Sequence, residues 1–453
     1  MLVFQVYLRF SVNNRINFAF DMIKAIKIGF CIIVASFSAF PFFFSFLPTV
    51  NTKMMMAALG LLLFFFNLAK GRTGSIDRGF GAISLWALGV SFASYLSMTI
   101  NNTPDDSYLG YLMSMWVWLG AAYFTVQCIK QIDGTVSIEK IIWIFIGVAI
   151  FQCIAGILMY KFGWLESLFS RYVVGKKYMG VGVGTSRLHG IGCALDVGGA
   201  RLGAILIMIA YLILHYMKNT SVSMRILISL MISFVFITVC GNMMGRTLTV
   251  GASLALAYIV YSLLFDKKLN DDYKRKFISW GSGILISGVA LCVLLYNTDS
   301  SARELIRFGF EGFFNYFEKG NFETHSTDLL SEGLIFPESF HTWIIGDGHM
   351  ASGSLDPYYI GPKDYGFYMN TDAGYSRFLF YFGIIGLSIF IGFFLKVTQL
   401  CSSRFPKARI MFYLMLAMNL IVWIKVSTDM FVMFAPFLCL TLREEEESTE
   451  LVF

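Results

Sequence analysis

Long apolar runs separated by short charged segments most constrain what this chain can fold into. The runs are about 15 to 23 residues long, which is the length that an α-helix needs to cross about 30 Å of hydrocarbon. Hydrophobic residues make up 57% of the chain and charged residues 14%, and the mean hydropathy is +0.67. A water-soluble globule cannot cover so much apolar surface. The sequence therefore predicts an all-α integral membrane protein.

We predict about twelve transmembrane helices, with both termini in the cytoplasm. The predicted spans are 28–47, 54–69, 79–98, 111–129, 141–160, 202–217, 226–240, 248–265, 278–296, 378–395, 410–424 and 430–442. In this topology the cytoplasmic segments hold 21 of the 35 Lys and Arg residues, and 11 of the 14 outer ones lie in or beside two long loops. Because short loops obey the positive-inside rule and long loops escape it, this distribution supports the orientation.

The predicted topology divides the chain into five regions. They are a five-helix membrane region (1–160), a first long outer loop (161–201), membrane helices 6 to 9 (202–296), a second long outer loop (297–377), and helices 10 to 12 with an acidic cytoplasmic tail (378–453). Both large loops are predicted on the same face, so we expect the protein to act there. The net charge of +6 is explained by the charged loop flanks rather than by a nucleic-acid surface.

The sequence contains no motif that is built to use a nucleotide or to bind a metal. The phosphate-binding pattern GxxxxGK[ST] is absent, and the glycine-rich stretch 180–184 lacks the strand-turn-helix setting of a cofactor loop. The eight cysteines show no paired spacing that is typical of a metal site. The driving force must therefore come from a transported substrate or from an activated donor in the membrane.

Two arginines at the predicted outer face are the sharper signal. Arg187 lies in the loop before span 6, and Arg246 lies in the short turn between spans 7 and 8. A guanidinium at the membrane boundary is costly to desolvate, so it usually has a partner. Its bidentate fork suits phosphate oxygens, and hence a diphosphate held at the level of the headgroups. The alternative is an arginine at a helix end that binds ordinary lipid phosphate.

The second long loop supplies candidates for acid–base chemistry and for sugar binding. Asp372 and Arg377 lie at the outer end of span 10, close enough in sequence to serve one site. Carboxylates and imidazoles can supply the general base that a sugar hydroxyl needs, and aromatic rings can stack on sugars. Further candidates from the two long loops are His189, His341, Asp347, His349, Tyr365 and Tyr368. A plain Gly-Asp-Gly turn at Asp347 and solvated histidines are the alternatives.

At these residues the sequence resembles the O-antigen polymerase and ligase superfamily of bacterial envelope glycosyltransferases. The resemblance rests on Arg-Leu-x-Gly from Arg187, the Gly-Arg turn that ends at Arg246, and Gly-Asp-Gly followed by Thr-Asp-x-Gly-Tyr-x-Arg. These motifs, with the number of spans and the two enlarged loops, cover about residues 180–395. The first five spans are similar only in hydropathy.

The resemblance implies a polysaccharide polymerase of the bacterial inner membrane with its active face in the periplasm. It would transfer a glycan from a polyprenyl-diphosphate carrier to a lipid-linked repeat unit, without a cofactor or a metal. Its partners would be the polyprenyl-diphosphate-linked oligosaccharide, membrane lipid, a chain-length regulator and a flippase, with no nucleic acid. Arg187 and Arg246 would hold the diphosphate, and Asp372 and Arg377 would shape the acceptor side.

Two other functions remain open at this point. Ligases of the superfamily carry a His-Asn pair before the span that corresponds to span 10, where this chain has Thr371-Asp372. That difference favours a polymerase and leaves the base open among His189, His341 and His349. A lipid-oligosaccharide transporter is the third candidate, but transporters place ionisable residues within their spans, and these spans are nearly free of charge.

Overall fold

The computed structural model describes residues 18–71, 78–174, 187–218, 222–322, 324, 334–350 and 367–440, and these residues are predominantly helical. The α-helices are α1 (Phe18–Ala39), α2 (Thr52–Ala69), α3 (Arg78–Asn101), α4 (Tyr111–Asp133), α5 (Ile138–Lys161), α6 (Gly163–Tyr172), α7 (Leu195–Lys218), α8 (Met224–Met244), α9 (Leu248–Phe265), α10 (Asp271–Thr298), α11 (Ser300–Gly309), α12 (Glu311–Lys319), α13 (Phe340–Ile345), α14 (Gly374–Arg404), α15 (Arg409–Val422) and α16 (Phe431–Leu438). Short 3-10 helices cover Tyr368–Asn370 and Pro406–Ala408. Strands β1 (Phe43–Phe44), β2 (Leu47–Asn51) and β3 (Val173–Val174) form one antiparallel sheet in the order β2-β1-β3.

The chain is a multi-pass membrane protein. Within the described ranges, 10 helices are long and apolar enough to cross a membrane, namely α1 to α5, α7 to α10 and α14. The predicted spans up to span 10 overlap these helices. The span predicted at 141–160 is α5, which begins where the Ser137 side chain accepts a hydrogen bond from the backbone N–H of Lys140. Caps of this kind set the ends that hydropathy leaves open.

The last two predicted spans are shorter than expected. α15 has 14 residues and α16 has 8, whereas a membrane span needs about 20. The polar residues Ser427, Thr428 and Asp429 lie between the two helices, and Pro436 within α16 lacks the N–H that a helix interior uses. In the described part of the chain, the helices at the last two predicted spans are therefore too short to count as two of twelve full membrane spans.

The two segments predicted as long loops contain helices. α6 lies in the first, and α11, α12 and α13 lie in the second. α11 is amphipathic, since it buries Leu305, Ile306 and Gly309 and leaves Arg303, Glu304 and Arg307 exposed. α12 buries only Gly312 and leaves the aromatic side chains Phe313, Tyr316 and Phe317 exposed. We did not predict these helices from the sequence, because the many polar residues of the segment obscured the helical period.

The chain divides into two compact units. The first unit comprises the described residues of 1–65, 119–311 and 435–453, and the second those of 66–118 and 312–434. In the first unit, 94% of the residues in the most apolar stretch of α7 are buried. α7 and α9 approach at Gly203 and Gly251, where a Cβ on Gly251 would lie 2.4 Å from the Cα of Gly203. Small residues at such crossings let membrane helices pack closely.

The second unit has an aromatic core along α14. Phe390 stacks on Trp423 with ring centroids 5.0 Å apart, and Phe378 packs edge-on against the same indole at 4.8 Å. α14 packs on α3 at Gly392, where a Cβ would lie 2.2 Å from the Trp86 ring. The aromatic core thus packs α14 against Trp423, and the close approach at Gly392 packs it against α3.

α14 is broken about two turns after it begins. Phe382 and Gly383 have non-helical dihedral angles, and Gly383 has a φ of 63°. The break releases backbone carbonyl groups, which must find other donors inside a membrane helix. The Phe380 carbonyl accepts from the N–H of Asp347 at 2.6 Å, and the Tyr381 carbonyl accepts from the N–H of Gly348 at 3.2 Å. The Gly346-Asp347-Gly348 turn is thus fixed to the break.

Candidate functional site

The structure brings the two predicted arginines together in the first unit. The backbone N–H of Leu188, next to Arg187, donates to the Met243 carbonyl at the end of α8 at 2.9 Å. Gly245 then turns the chain from α8 into Arg246, in a place where a Cβ would lie 2.2 Å from the Leu195 carbonyl oxygen. This close approach explains why a glycine precedes the arginine. The loop before α7 and the turn before α9 therefore meet at one point.

Both guanidinium groups lie against one aromatic ring. The Cζ atom of Arg187 is 4.5 Å from the centroid of Phe308, and the Cζ atom of Arg246 is 4.9 Å from it. Cation–π attraction to a ring of this kind is worth about 0.5–2 kcal/mol, depending on how far the pair is desolvated. Phe308 therefore offsets part of the repulsion that two like charges would otherwise feel at this distance.

Glu311 completes this cluster, and its carboxylate is paired with the guanidinium of Arg246. The Arg246 and Glu311 side chains are 14% and 26% exposed, so the pair is partly shielded from water. Burial lowers the pKa of Arg187, and the charge of Arg246 lowers it further, while Asp196 and Glu311 raise it. We call Arg187, Arg246, Phe308, Glu311 and Asp196 the arginine cluster. Its two cations are balanced by two carboxylates.

His189 also belongs to the first unit, two residues after Arg187. Its side chain is half-buried, and burial lowers the pKa of the imidazole, while Glu166 raises it. The imidazole is therefore neutral at pH 7, a form in which one ring nitrogen can accept a proton.

A second group of predicted residues assembles in the second unit around Asp347. Its carboxylate accepts hydrogen bonds from the Thr342 hydroxyl at 2.7 Å and from the Tyr368 hydroxyl at 3.2 Å. His349 is buried and stacks on the Tyr368 ring with centroids 5.0 Å apart. Asp347 is therefore more than a plain turn residue, because its side chain orients two hydroxyl groups. We call Thr342, Asp347, His349 and Tyr368 the aspartate cluster.

Arg377 lies at the start of α14 in the same unit. Its guanidinium donates to the Ser427 hydroxyl at 2.6 Å and to the Met350 carbonyl at 3.3 Å, and it lies 4.0 Å from the centroid of the Phe367 ring. The half-buried carboxyl of Asp372 acts on it electrostatically. Asp372 and Arg377 thus interact electrostatically, and Arg377 is also hydrogen-bonded to Met350, the residue after His349.

The tautomer of His341 is set by Asn101. The Asn101 amide nitrogen donates to the Ser97 carbonyl at 2.8 Å and to the Gly346 carbonyl at 2.9 Å, so its Oδ1 is left as the acceptor for His341 Nε2 at 2.9 Å. Nε2 of His341 therefore carries the proton. In the neutral ring, Nδ1 keeps its lone pair, and the side chain is exposed. Of the histidines in the described second unit, His341 has the more accessible ring.

Sequence reasoning missed Phe308, Glu311 and Asn101. The first two lie in α11 and α12. The sequence of 300–319 has a helical period, but we considered it only as part of the long outer loop. Asn101 ends α3 and carried no signal of its own. Tyr365 and the glycine-rich stretch 180–184 lie outside the described residues.

Comparison of the chain with models of protein families, with curated proteins and with solved structures found no match. The two clusters thus have to be interpreted from their own chemistry.

Proposed function

We propose that this multi-pass membrane protein is a polysaccharide polymerase that transfers a glycan from a polyprenyl-diphosphate carrier to a lipid-linked repeat unit. The plasma membrane of a bacterium would be its location, and the periplasmic face its active side. The arginine cluster is the observation that carries the proposal. It presents two guanidinium groups over one ring, at the ends of apolar helices.

Two guanidinium groups suit a diphosphate because each of its phosphoryl groups can engage one bidentate fork. A diphosphate on a polyprenyl chain also matches a site at the end of membrane helices, since the lipid tail stays in hydrocarbon. In the proposed reaction, an acceptor hydroxyl oxygen bonds to the anomeric carbon of the donor glycan. The bond between that carbon and the diphosphate oxygen breaks, and the electron pair leaves with the polyprenyl diphosphate. Arg187 and Arg246 would stabilise the charge that develops there.

The hydroxyl proton needs a base, and the described residues offer several. Asp372 with Arg377 is the assignment that the sequence resemblance implies. Asp347 and Nδ1 of the exposed His341 are proton acceptors in the second unit. In the first unit, the neutral His189 follows Arg187 by two residues. Tyr368, which is half-exposed, offers a ring face for a sugar. The cleaved glycosyl diphosphate supplies the driving force, so the proposal requires no nucleotide.

The test is the ladder of glycan chain lengths in cells that carry single variants of the gene. Arg246→Ala should leave single repeat units and no polymer, because truncating one partner of a partly buried charge contact costs about 2–5 kcal/mol. Arg246→Lys should recover little polymer, because a point charge cannot reproduce the bidentate fork.

Arg303→Ala is the matched control. Arg303 lies on α11 with Phe308, and its guanidinium also lies over a ring, 5.5 Å from the centroid of Tyr296, but its side chain is exposed. This variant should give the wild-type ladder. A full ladder from Arg246→Ala at normal protein level would refute the proposal, and loss of single repeat units as well would point to a transporter.

A further inference from the structure

The contact between Glu311 and Arg246 raises a question about the proposed diphosphate site. If Arg246 binds a diphosphate, a carboxylate already holds the same guanidinium. The contact is partly shielded, and the two residues are far apart in sequence, so it reflects the tertiary fold rather than local helix geometry. Glu311 and an anionic ligand would compete for the same donors.

The charges of the arginine cluster show what such competition means. Arg187 and Arg246 contribute two positive charges, and Asp196 and Glu311 act on Arg187 with the opposite sign. An anion that entered while both carboxylates stayed in place would meet a cluster with little net charge. It gains a strong contact only if one carboxylate moves away.

Glu311 contacts Arg246 directly, so it is the carboxylate that an anion entering at Arg246 must displace. Asp196 lies in the first turn of α7, and its backbone carbonyl accepts a hydrogen bond from the Thr247 hydroxyl at 2.9 Å, which ties that turn to the residue after Arg246. Glu311 is the first residue of α12, has the longer side chain, and is 26% exposed. Phe308 can stay in place when the Glu311 side chain moves, because Gly309 lies between them and packs against the backbone of α8. A Cβ added to Gly309 would lie only 3.3 Å from backbone atoms of Asn242 and Met243.

We infer that Glu311 is an internal competitor for Arg246, which a diphosphate group displaces when it binds. The inference rests on the proposed function for the identity of the diphosphate, but not for the competition itself. Glu311 would lower the affinity for polyprenyl diphosphate, the carrier that remains after transfer. This product is more highly charged than the glycan-linked donor, because its terminal phosphate is no longer esterified. The carboxylate returns to Arg246 as the product leaves, so it favours release.

The first experiment uses no ligand and tests whether Glu311 holds and shields the Arg246 guanidinium. The purified protein in phosphatidylcholine nanodiscs is treated with phenylglyoxal, which modifies accessible guanidinium groups, and the modified arginines are counted by peptide mass spectrometry. Arg246 should react about tenfold faster in Glu311→Gln than in wild type, since a neutral amide oxygen holds the guanidinium less strongly than a carboxylate does. Exposed Arg303 provides the internal reference rate.

Glu304→Gln is the matched control, because it removes the same charge from an exposed position on α11. It should leave the Arg246 rate at the wild-type value. Equal Arg246 rates in wild type and Glu311→Gln would overturn the inference, and so would equal acceleration by both variants, which would indicate only a general effect of charge.

The second experiment adds ligands to the same nanodiscs. Undecaprenyl diphosphate should bind about tenfold more tightly to Glu311→Gln than to wild type, and Glu311→Gln should have no effect in an Arg246→Ala background. A gain in affinity cannot come from a merely damaged fold. Unchanged or weaker binding by Glu311→Gln, with binding lost in Arg246→Ala, would overturn the inference and leave the proposed function standing.

Inorganic diphosphate is the soluble comparison. The proposed function expects the polyprenyl form to protect Arg246 from phenylglyoxal at a lower concentration than the inorganic form. If Glu311→Gln accelerates modification of Arg246, and inorganic diphosphate protects Arg246 but undecaprenyl diphosphate does not, the competition is supported and the proposed function fails.

Discussion

Gly346 is the residue at which the structure predicts a large effect from a single methyl group. It has a φ of 85° and a ψ of 179°, a conformation that is essentially restricted to glycine. A Cβ there would lie 2.6 Å from the backbone N of Phe382 and from the C and O atoms of Tyr381. Backbone strain costs roughly 1–3 kcal/mol, and the overpacking adds roughly 1–3 kcal/mol. Gly346→Ala should therefore destabilise the second unit by about 3 kcal/mol or more.

Gly320→Ala is the control, because Gly320 has a φ of 77° but nothing within 4 Å of a built Cβ. It should cost only the left-handed conformation, roughly 1 kcal/mol. A folding unit of 150–250 residues loses roughly 2–4 °C in Tm per kcal/mol, so we expect about 6–12 °C for Gly346→Ala and about 2–4 °C for Gly320→Ala. The assay is thermal unfolding of the purified protein in detergent. Equal shifts for the two variants would refute the idea that the turn is fixed to the broken helix.

Three further outcomes are expected. Asp372→Asn should reduce polymerisation by ~100-fold in a ladder assay if Asp372 is the base and far less if it only orients the acceptor, and a wild-type ladder would make His341 the next candidate. Burial holds the pKa of His189 below its ordinary value of 6.5, so the unfolded chain takes up the proton first as the pH falls. Stability is then lost from pH 6.5 down to the folded pKa, and His189→Asn should reduce the drop in Tm between pH 7.5 and 5.5; an identical drop would contradict the assignment. In a background without native cysteines, Ser170→Cys should react with an impermeant thiol reagent applied from outside and Asn270→Cys should not, whereas the reverse pattern would invert the topology.

The long helices could be predicted from the sequence because their signal is local. A continuous apolar run has one low-energy solution in hydrocarbon, since the helix satisfies its own backbone groups. The predicted span 111–129 lies within α4, and the predicted span 79–98 lies within α3. In these two helices the ends differ by a few residues, where capping and not hydropathy decides. The span predicted at 28–47 differs more, because α1 covers Phe18–Ala39 and the strands β1 and β2 follow it.

The contacts within the candidate site were less predictable. Arg246 could be singled out because its turn is short and its position at the membrane boundary is costly. Its pairing with Glu311 depends on where α12 lies, and no local pattern encodes that. The break at Gly383 was hidden for a related reason, since glycine is common in membrane helices and rarely marks a break. The position of Asp347 follows from that break, so its hydrogen bonds could not be foreseen.

The broken helix also constrains how the protein is made. The Gly346-Asp347-Gly348 turn leaves the ribosome before α14, because it precedes that helix in the chain. When α14 enters the membrane, the Phe380 carbonyl needs the N–H of Asp347, whereas the Tyr381 carbonyl accepts from both the N–H of Gly348 and the Ser97 hydroxyl. An unsatisfied carbonyl group in hydrocarbon costs several kcal/mol. The turn must therefore already be present on the side where α14 begins. Insertion of α14 and docking of a segment made earlier are thus parts of one assembly step, and a chain cut between residues 348 and 374 would have to bring the two pieces together before the bent helix could form.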